Sequence, residues 1–165
     1  MVGGFAIDGK QWVMSSIVLV DTSILLNVLD VEGRNERRGE VLAELNVRIE
    51  AGDHLFIPLA AIVETGNHIA HVTNGAARRS AAQRFVQAVQ DALNSVAPWK
   101  PLHFPDHTAL AAWLQAFPDS ASRQIGIGDV SIQHEWKLLC AKFPMSRVLI
   151  WTVDADLQGY DRIPA

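Results

Sequence analysis

Ile17-Val18-Leu19-Val20 is an unbroken apolar run that stops abruptly on Asp21. A strand with one wet face alternates apolar and polar residues. A strand with no polar position is covered on both faces, as in a parallel sheet with helices above and below it. Val148-Leu149-Ile150-Trp151 repeats the pattern near the other end of the chain.

The segments between these strands alternate between helix and strand signals. Asp21-Thr22-Ser23 caps a helix over Ile24 to Leu29. Arg37 to Ala51 has helical spacing (Val41, Leu42, Leu45, Ile49) and stops at Gly52. Leu55 to Pro58 reads as a second strand and Ala60 to Val72 as a helix. Arg78 to Val96 is a longer helix with Phe85, Val86, Val89 and Leu93 on its apolar face. Leu102-His103-Phe104 is the expected third strand, and helices follow over Thr108 to Phe117 and Asp129 to Lys142. Alternating strands and helices imply crossovers between parallel strands, hence an α/β sandwich with a central, mainly parallel sheet. Residues 17–165 form one domain on this reading. Residues 1–16, punctuated by Gly3-Gly4 and Asp8-Gly9, read either as an N-terminal arm or loose hairpin, or as upstream sequence with Met14 the start.

Hydrophobic residues make up 49% of the 165 and charged residues 19%, which excludes a disordered chain. A single cysteine, Cys140, allows no intrachain disulfide. Its apolar surroundings from Trp136 to Phe143 suggest a buried thiol in a reducing, cytoplasmic setting. Met1 to Lys10 lacks the pattern of a secretory signal, and Asp21 and Asn27 interrupt the apolar stretch Val13 to Leu29, so no membrane span is expected. The net charge of −4 lacks the basic balance of a typical nucleic-acid binder. An acidic chain acting on nucleic acid would draw its positive charge from bound metal ions.

In open parallel sheets, ligands sit beyond the carboxyl ends of the strands. Asp21 directly follows the first strand, and Asp154 follows the last after Thr152-Val153. Glu64 lies a turn and a half into the helix after the second strand. Asp129 opens a helix behind Gly126-Ile127-Gly128, where the glycines let the chain turn sharply and the Asp caps. Any one of these acids is equally well a cap or turn former. Together on one sheet edge they are an oxygen-donor set of the kind that suits Mg²⁺ or Mn²⁺. A pair of such ions can activate water and stabilise the leaving oxygen in phosphodiester cleavage. Gathered carboxylates also repel one another, so their folded-state pKa values should rise.

Ile17-Val18-Leu19-Val20-Asp21-Thr22-Ser23-Ile24-Leu25-Leu26 resembles the opening of a PIN domain, whose first strand ends in Asp-Thr/Ser-Ser/Asn before a helix. Pro58 to Glu64 resembles the second acidic element of that family, Gly128 to Ile132 the third and Leu149 to Leu157 the fourth. The resemblance covers Ile17 to Asp161 and extends to small solo PIN proteins such as the VapC-type toxin ribonucleases. It implies a PIN-like three-layer sandwich acting as a metal-dependent endoribonuclease, with Asp21, Glu64, Asp129 and Asp154 as catalytic acids and ligands of Mg²⁺ or Mn²⁺. Thr22 or Ser23 would orient Asp21 or the attacking water, with Thr152 and Asp156 as auxiliary groups. The implied partners are an RNA substrate, an antitoxin protein and a second copy in a homodimer. The chain departs from toxin-type members after Asp129, where Val130, Gln133, His134 and Trp136 stand in place of Ala and small residues.

Glu64, His68 and His71 share one helix face at i, i+4 and i+7. A partly solvated polar face accounts for the histidines better than ligation does, because imidazole suits zinc, copper or nickel. Arg78, Arg79 and Arg84, with Arg34, Arg37 and Arg38, form the basic clusters; they either track a nucleic-acid backbone or line solvated helices. His68, Arg78 and Arg79 are the candidates for nucleic-acid contact. The tryptophans (Trp12, Trp99, Trp113, Trp136, Trp151) suit core or partner surfaces more than base stacking. Two other functions stay open. A haloacid-dehalogenase-type phosphatase wants a second Asp two residues after its nucleophile, where Ser23 stands. A non-catalytic PIN-fold binding module differs from the nuclease only by the absence of metal-dependent RNA cleavage.

Overall fold

The computed structural model describes residues 15–165. Its centre is β1 (Ile17–Val20), buried at all four positions. This strand pairs in parallel on one side with β2 (His54–Ile57) and on the other with β4 (Val148–Trp151). β3 (Trp99–Pro101) adds in parallel outside β2, and β5 (Asp161–Arg162) adds antiparallel outside β4, giving the order β3-β2-β1-β4-β5. Six helices make the crossovers. α1 (Thr22–Val28) and α2 (Arg38–Glu50) lie between β1 and β2, and α3 (Leu59–Ala70) and α4 (Gly75–Leu93) between β2 and β3. α5 (His107–Ser122) and α6 (Ile127–Lys142) lead back to β4. The protein is thus an α/β three-layer sandwich with a mainly parallel central sheet.

Alternation along β1 divides the core. Val18 and Val20 face a cluster with Ile24 and Leu25 of α1, Val41 and Leu45 of α2, Trp99 and Trp151. Ile17 and Leu19 face the other way, against Ile132 and Leu139 of α6, Val148, Ile150 and Leu157. Each side chain of the apolar run therefore has a core of its own to fill, which is why none of them is polar.

Three expectations from the sequence are corrected. The third strand is Trp99–Pro101, not Leu102 to Phe104. Trp99 is buried opposite Leu55, while His103 and Phe104 are exposed; only Leu102 prolongs the ladder, donating its N–H to the Ile57 carbonyl at 2.9 Å. The apolar face expected of α4 holds only in part. Phe85 packs on the core, but Val86 is 50% and Leu93 59% exposed, and Ala81, Ala88 and Ala92 take their place. Small residues there let α4 approach its neighbours closely. Asp129 does not cap α6: Gly126 occupies that position and Asp129 lies within the first turn. The arm or hairpin expected over residues 1–16 lies outside the described residues, except for Ser15 and Ser16. Among the described residues no helix is long and apolar enough to cross a membrane.

Candidate functional site

A helix that precedes a parallel strand runs back across the sheet, so α6 begins at the edge where β1 and β4 end and where α1 and α3 start. The four acids therefore lie at one edge of the sheet. Asp21 is the N-cap of α1 and is only 6% exposed. A buried carboxylate needs donors, and its Oδ2 has three: the Ser23 N–H (3.3 Å), the Ser23 hydroxyl (2.8 Å) and the Thr152 hydroxyl (2.9 Å). A hydroxyl has one proton to give. With both protons directed at Asp21, Ser23 Oγ is left to accept from the Val153 N–H (3.1 Å), and Thr152 Oγ1 from the Asp154 N–H (2.9 Å). The two hydroxyls lie 3.2 Å apart. They fasten the end of β1 to the segment that leaves β4 and carries Asp154. Asp21 Oδ1 accepts no hydrogen bond among the described residues.

Asp154 is exposed and caps a short 3-10 turn, Ala155–Leu157, by accepting from the Asp156 N–H at 3.2 Å. Leu157 anchors that turn in the core. Glu64 is half-buried on α3, and its Oε2 accepts from the Thr22 hydroxyl at 3.2 Å. Its carboxyl lies against Gly128 in the first turn of α6.

Asp129 is half-buried, and its carboxyl is pushed up to about 6 from 3.8. Burial is the largest cause, followed by the negative charges of Asp21, Glu64, Asp154 and Asp156. The start of a helix favours a carboxylate by roughly 0.3–1 kcal/mol. Here desolvation and four like charges outweigh that preference. This is the rise expected of gathered acids, seen at Asp129. The other acids all act on Asp129, yet among the described residues no three His, Cys, Asp or Glu side chains form a ready metal-ligand set.

The other candidates lie apart from this network. His68 is half-buried one turn beyond Glu64, and His71 is exposed at the end of α3, its Nδ1 2.7 Å from the Asn67 carbonyl. Arg78 donates to the Val72 carbonyl (2.8 Å) and so closes the turn between α3 and α4; Arg79 is exposed on α4. Arg84 clamps the Leu29 and Asp30 carbonyls (2.8 and 3.0 Å), and Arg37 and Arg38 pair with Glu40 and Asp30. Most of the basic clusters thus have structural partners. A hollow of about 390 Å³ between α5 and α6, lined by Trp113, His134 and Leu138 among others, holds none of the four acids. The site is defined by charge and hydrogen bonding at the sheet edge.

Two supporting residues escaped the sequence reading. Asn27 is buried, donates to the Ser23 carbonyl (2.8 Å) and accepts from the Arg37 N–H (3.0 Å), tying the loop after α1 to the site. A polar residue on an otherwise apolar helix face, four positions after Ser23, was the available signal. Gly128 is expected as a turn glycine, but it is helical, and Glu64 approaches it across the fold. No protein-family model matches the chain, and no curated protein sequence matches it.

Proposed function

We propose that the chain is a metal-dependent nuclease of the PIN type that hydrolyses RNA phosphodiester bonds with Mg²⁺ or Mn²⁺. The observation that carries this reading is the Asp129 carboxyl, held near 6 by burial and by four other carboxylates, with no arginine or lysine among the charges acting on it. Like charges gathered at a sheet edge cost stability, and such arrangements cluster at functional sites. The donors are all oxygen, the kind that hard divalent ions prefer. Asp21 through its free Oδ1, together with Glu64, Asp129 and Asp154, would hold the ion. When bound, it supplies the acidity that makes a water nucleophilic at neutral pH and offsets the charge on the leaving oxygen.

The chain's own residues prepare for that chemistry. Ser23 and Thr152 fix the Asp21 carboxylate, Thr22 orients Glu64, and Asp154 is held close by its N–H bond to Thr152. Ser23 directs its hydroxyl at Asp21, so the position two residues after that Asp carries no acid for phosphatase chemistry. A single cysteine, Cys140, with no disulfide partner in the chain accords with action in the cytoplasm.

The test is cleavage of single-stranded and structured RNA by the purified chain with Mg²⁺ or Mn²⁺. Cleavage is expected with either ion and should stop in EDTA. Cleavage that persists in excess chelator would overturn the metal mechanism. RNA binding without cleavage would favour a binding module.

A further inference from the structure

Gly128 has no conformational reason to be glycine. It is the second residue of α6, and the described glycines with positive φ are Gly33, Gly52 and Gly159. What its missing side chain leaves is space, and Glu64 fills it. A Cβ at position 128 would lie 2.8 Å from Glu64 Cδ and 3.3 Å from Oε2, and closer still to Oε1. The same construction at Gly39 or Gly126 meets nothing within 4 Å, and at Gly66 only ordinary contact with Phe85. Among the described glycines, only Gly128 has a carboxylate in the place a Cβ would take.

We infer that Gly128 is a positioning residue: its bare Cα seats the Glu64 carboxylate and sets how closely the acid of α3 approaches Asp129. This rests on the metal-site reading above. The group that would collide is the far end of a flexible side chain, so a methyl at 128 would swing the carboxylate aside and leave the backbone in place. The swing would take Glu64 off the Thr22 hydroxyl and away from its place beside Asp129. Alanine is also the better helix former. Substitution therefore separates stability from site geometry, whereas a glycine needed only for packing would lose both together.

The experiment compares Gly128→Ala, Gly126→Ala, Glu64→Asp and the Gly128→Ala/Glu64→Asp double variant in the full chain. It reads Mn²⁺ affinity by calorimetry, metal-free melting, and the ¹³C carboxyl resonance of Glu64 in the metal-free protein. Gly128→Ala should melt at or above the wild-type temperature, shift the Glu64 resonance and bind Mn²⁺ on the order of tenfold more weakly, as when a group orienting a ligand is lost. Gly126→Ala should keep wild-type affinity. Glu64→Asp shortens the side chain by one methylene, so the double variant should lose less than the product of the single losses. Gly128→Ala binding Mn²⁺ as tightly as wild type, with the Glu64 resonance unmoved, would overturn the assignment to Gly128 alone. Wild-type protein that binds no Mn²⁺ would overturn the metal-site reading and this role with it.

Discussion

Asp21 combines two functions because its two oxygens are treated differently: Oδ2 is saturated by three donors and Oδ1 accepts none among the described residues. Asp21→Asn keeps the size and the capping oxygen but removes the charge. RNA turnover should fall by two orders of magnitude or more, on the order of 3 kcal/mol at the barrier, in single-turnover kinetics. Asp156→Asn should cost far less, since Asp154 is the acid whose backbone N–H is tied to Thr152; the reverse order would mean that the roles of Asp154 and Asp156 are exchanged. Thr152→Val tests the shared anchor. It preserves shape, removes a donor from Asp21 and leaves the Asp154 N–H without its acceptor. Denaturant titration should show a loss of about 1–2 kcal/mol, and calorimetry a roughly tenfold weaker Mn²⁺ affinity. Unchanged affinity would mean that the hydroxyl holds only the loop.

At the scale of elements, β1 organises the site through its ends and its faces. Its end delivers Asp21, one face packs on the helix that Asp21 caps, and the other on the helix that carries Asp129. Leu19 is fully buried on the α6 side. Leu19→Ala should cost roughly 2–5 kcal/mol in chemical denaturation, through lost burial and the cavity left behind. Val86→Ala on α4 should stay within about 0.5 kcal/mol, because Val86 is half in solvent. A Val86 cost comparable to that of Leu19 would restore the apolar face expected from the sequence. Helical spacing does not distinguish a valine from an alanine as the residue that lets a neighbouring helix approach.

For the molecule as a whole, the acidic edge makes stability depend on pH in the sense opposite to a salt-bridged acid. Asp129 has a folded-state value of about 6, above its ordinary 3.8, so the folded state binds more protons between those limits. Its penalty is absent below about 4, grows as pH rises and is complete above about 6. Discounted for solvent screening, it is worth about 1 kcal/mol. Metal-free wild type should therefore lose melting temperature between those pH values, while Asp129→Asn should lose less and melt higher than wild type at pH 7. Mn²⁺ should raise the melting temperature of wild type more than that of the variant by mass action. An Asp129→Asn protein with the same pH profile and no gain at pH 7 would show that the acids are not electrostatically gathered.

The layout was legible from residue order. Two apolar strands without polar positions, helices between them, and acids just beyond the strand ends or in the first turns of the helices suffice for a parallel sheet with one acidic edge, because strand direction dictates which ends meet. That Thr22 or Ser23 orients Asp21 is implied by the family resemblance, and the hydroxyl that donates to Asp21 is that of Ser23. The sharing of Oδ2 with Thr152, the space that Gly128 leaves for Glu64, the carbonyls held by Arg78 and Arg84, and the start of β3 at Trp99 were decided only by tertiary structure. Local periodicity reports which way a side chain points. It cannot report what stands opposite, and Asp21 meets Thr152 across 131 positions of chain.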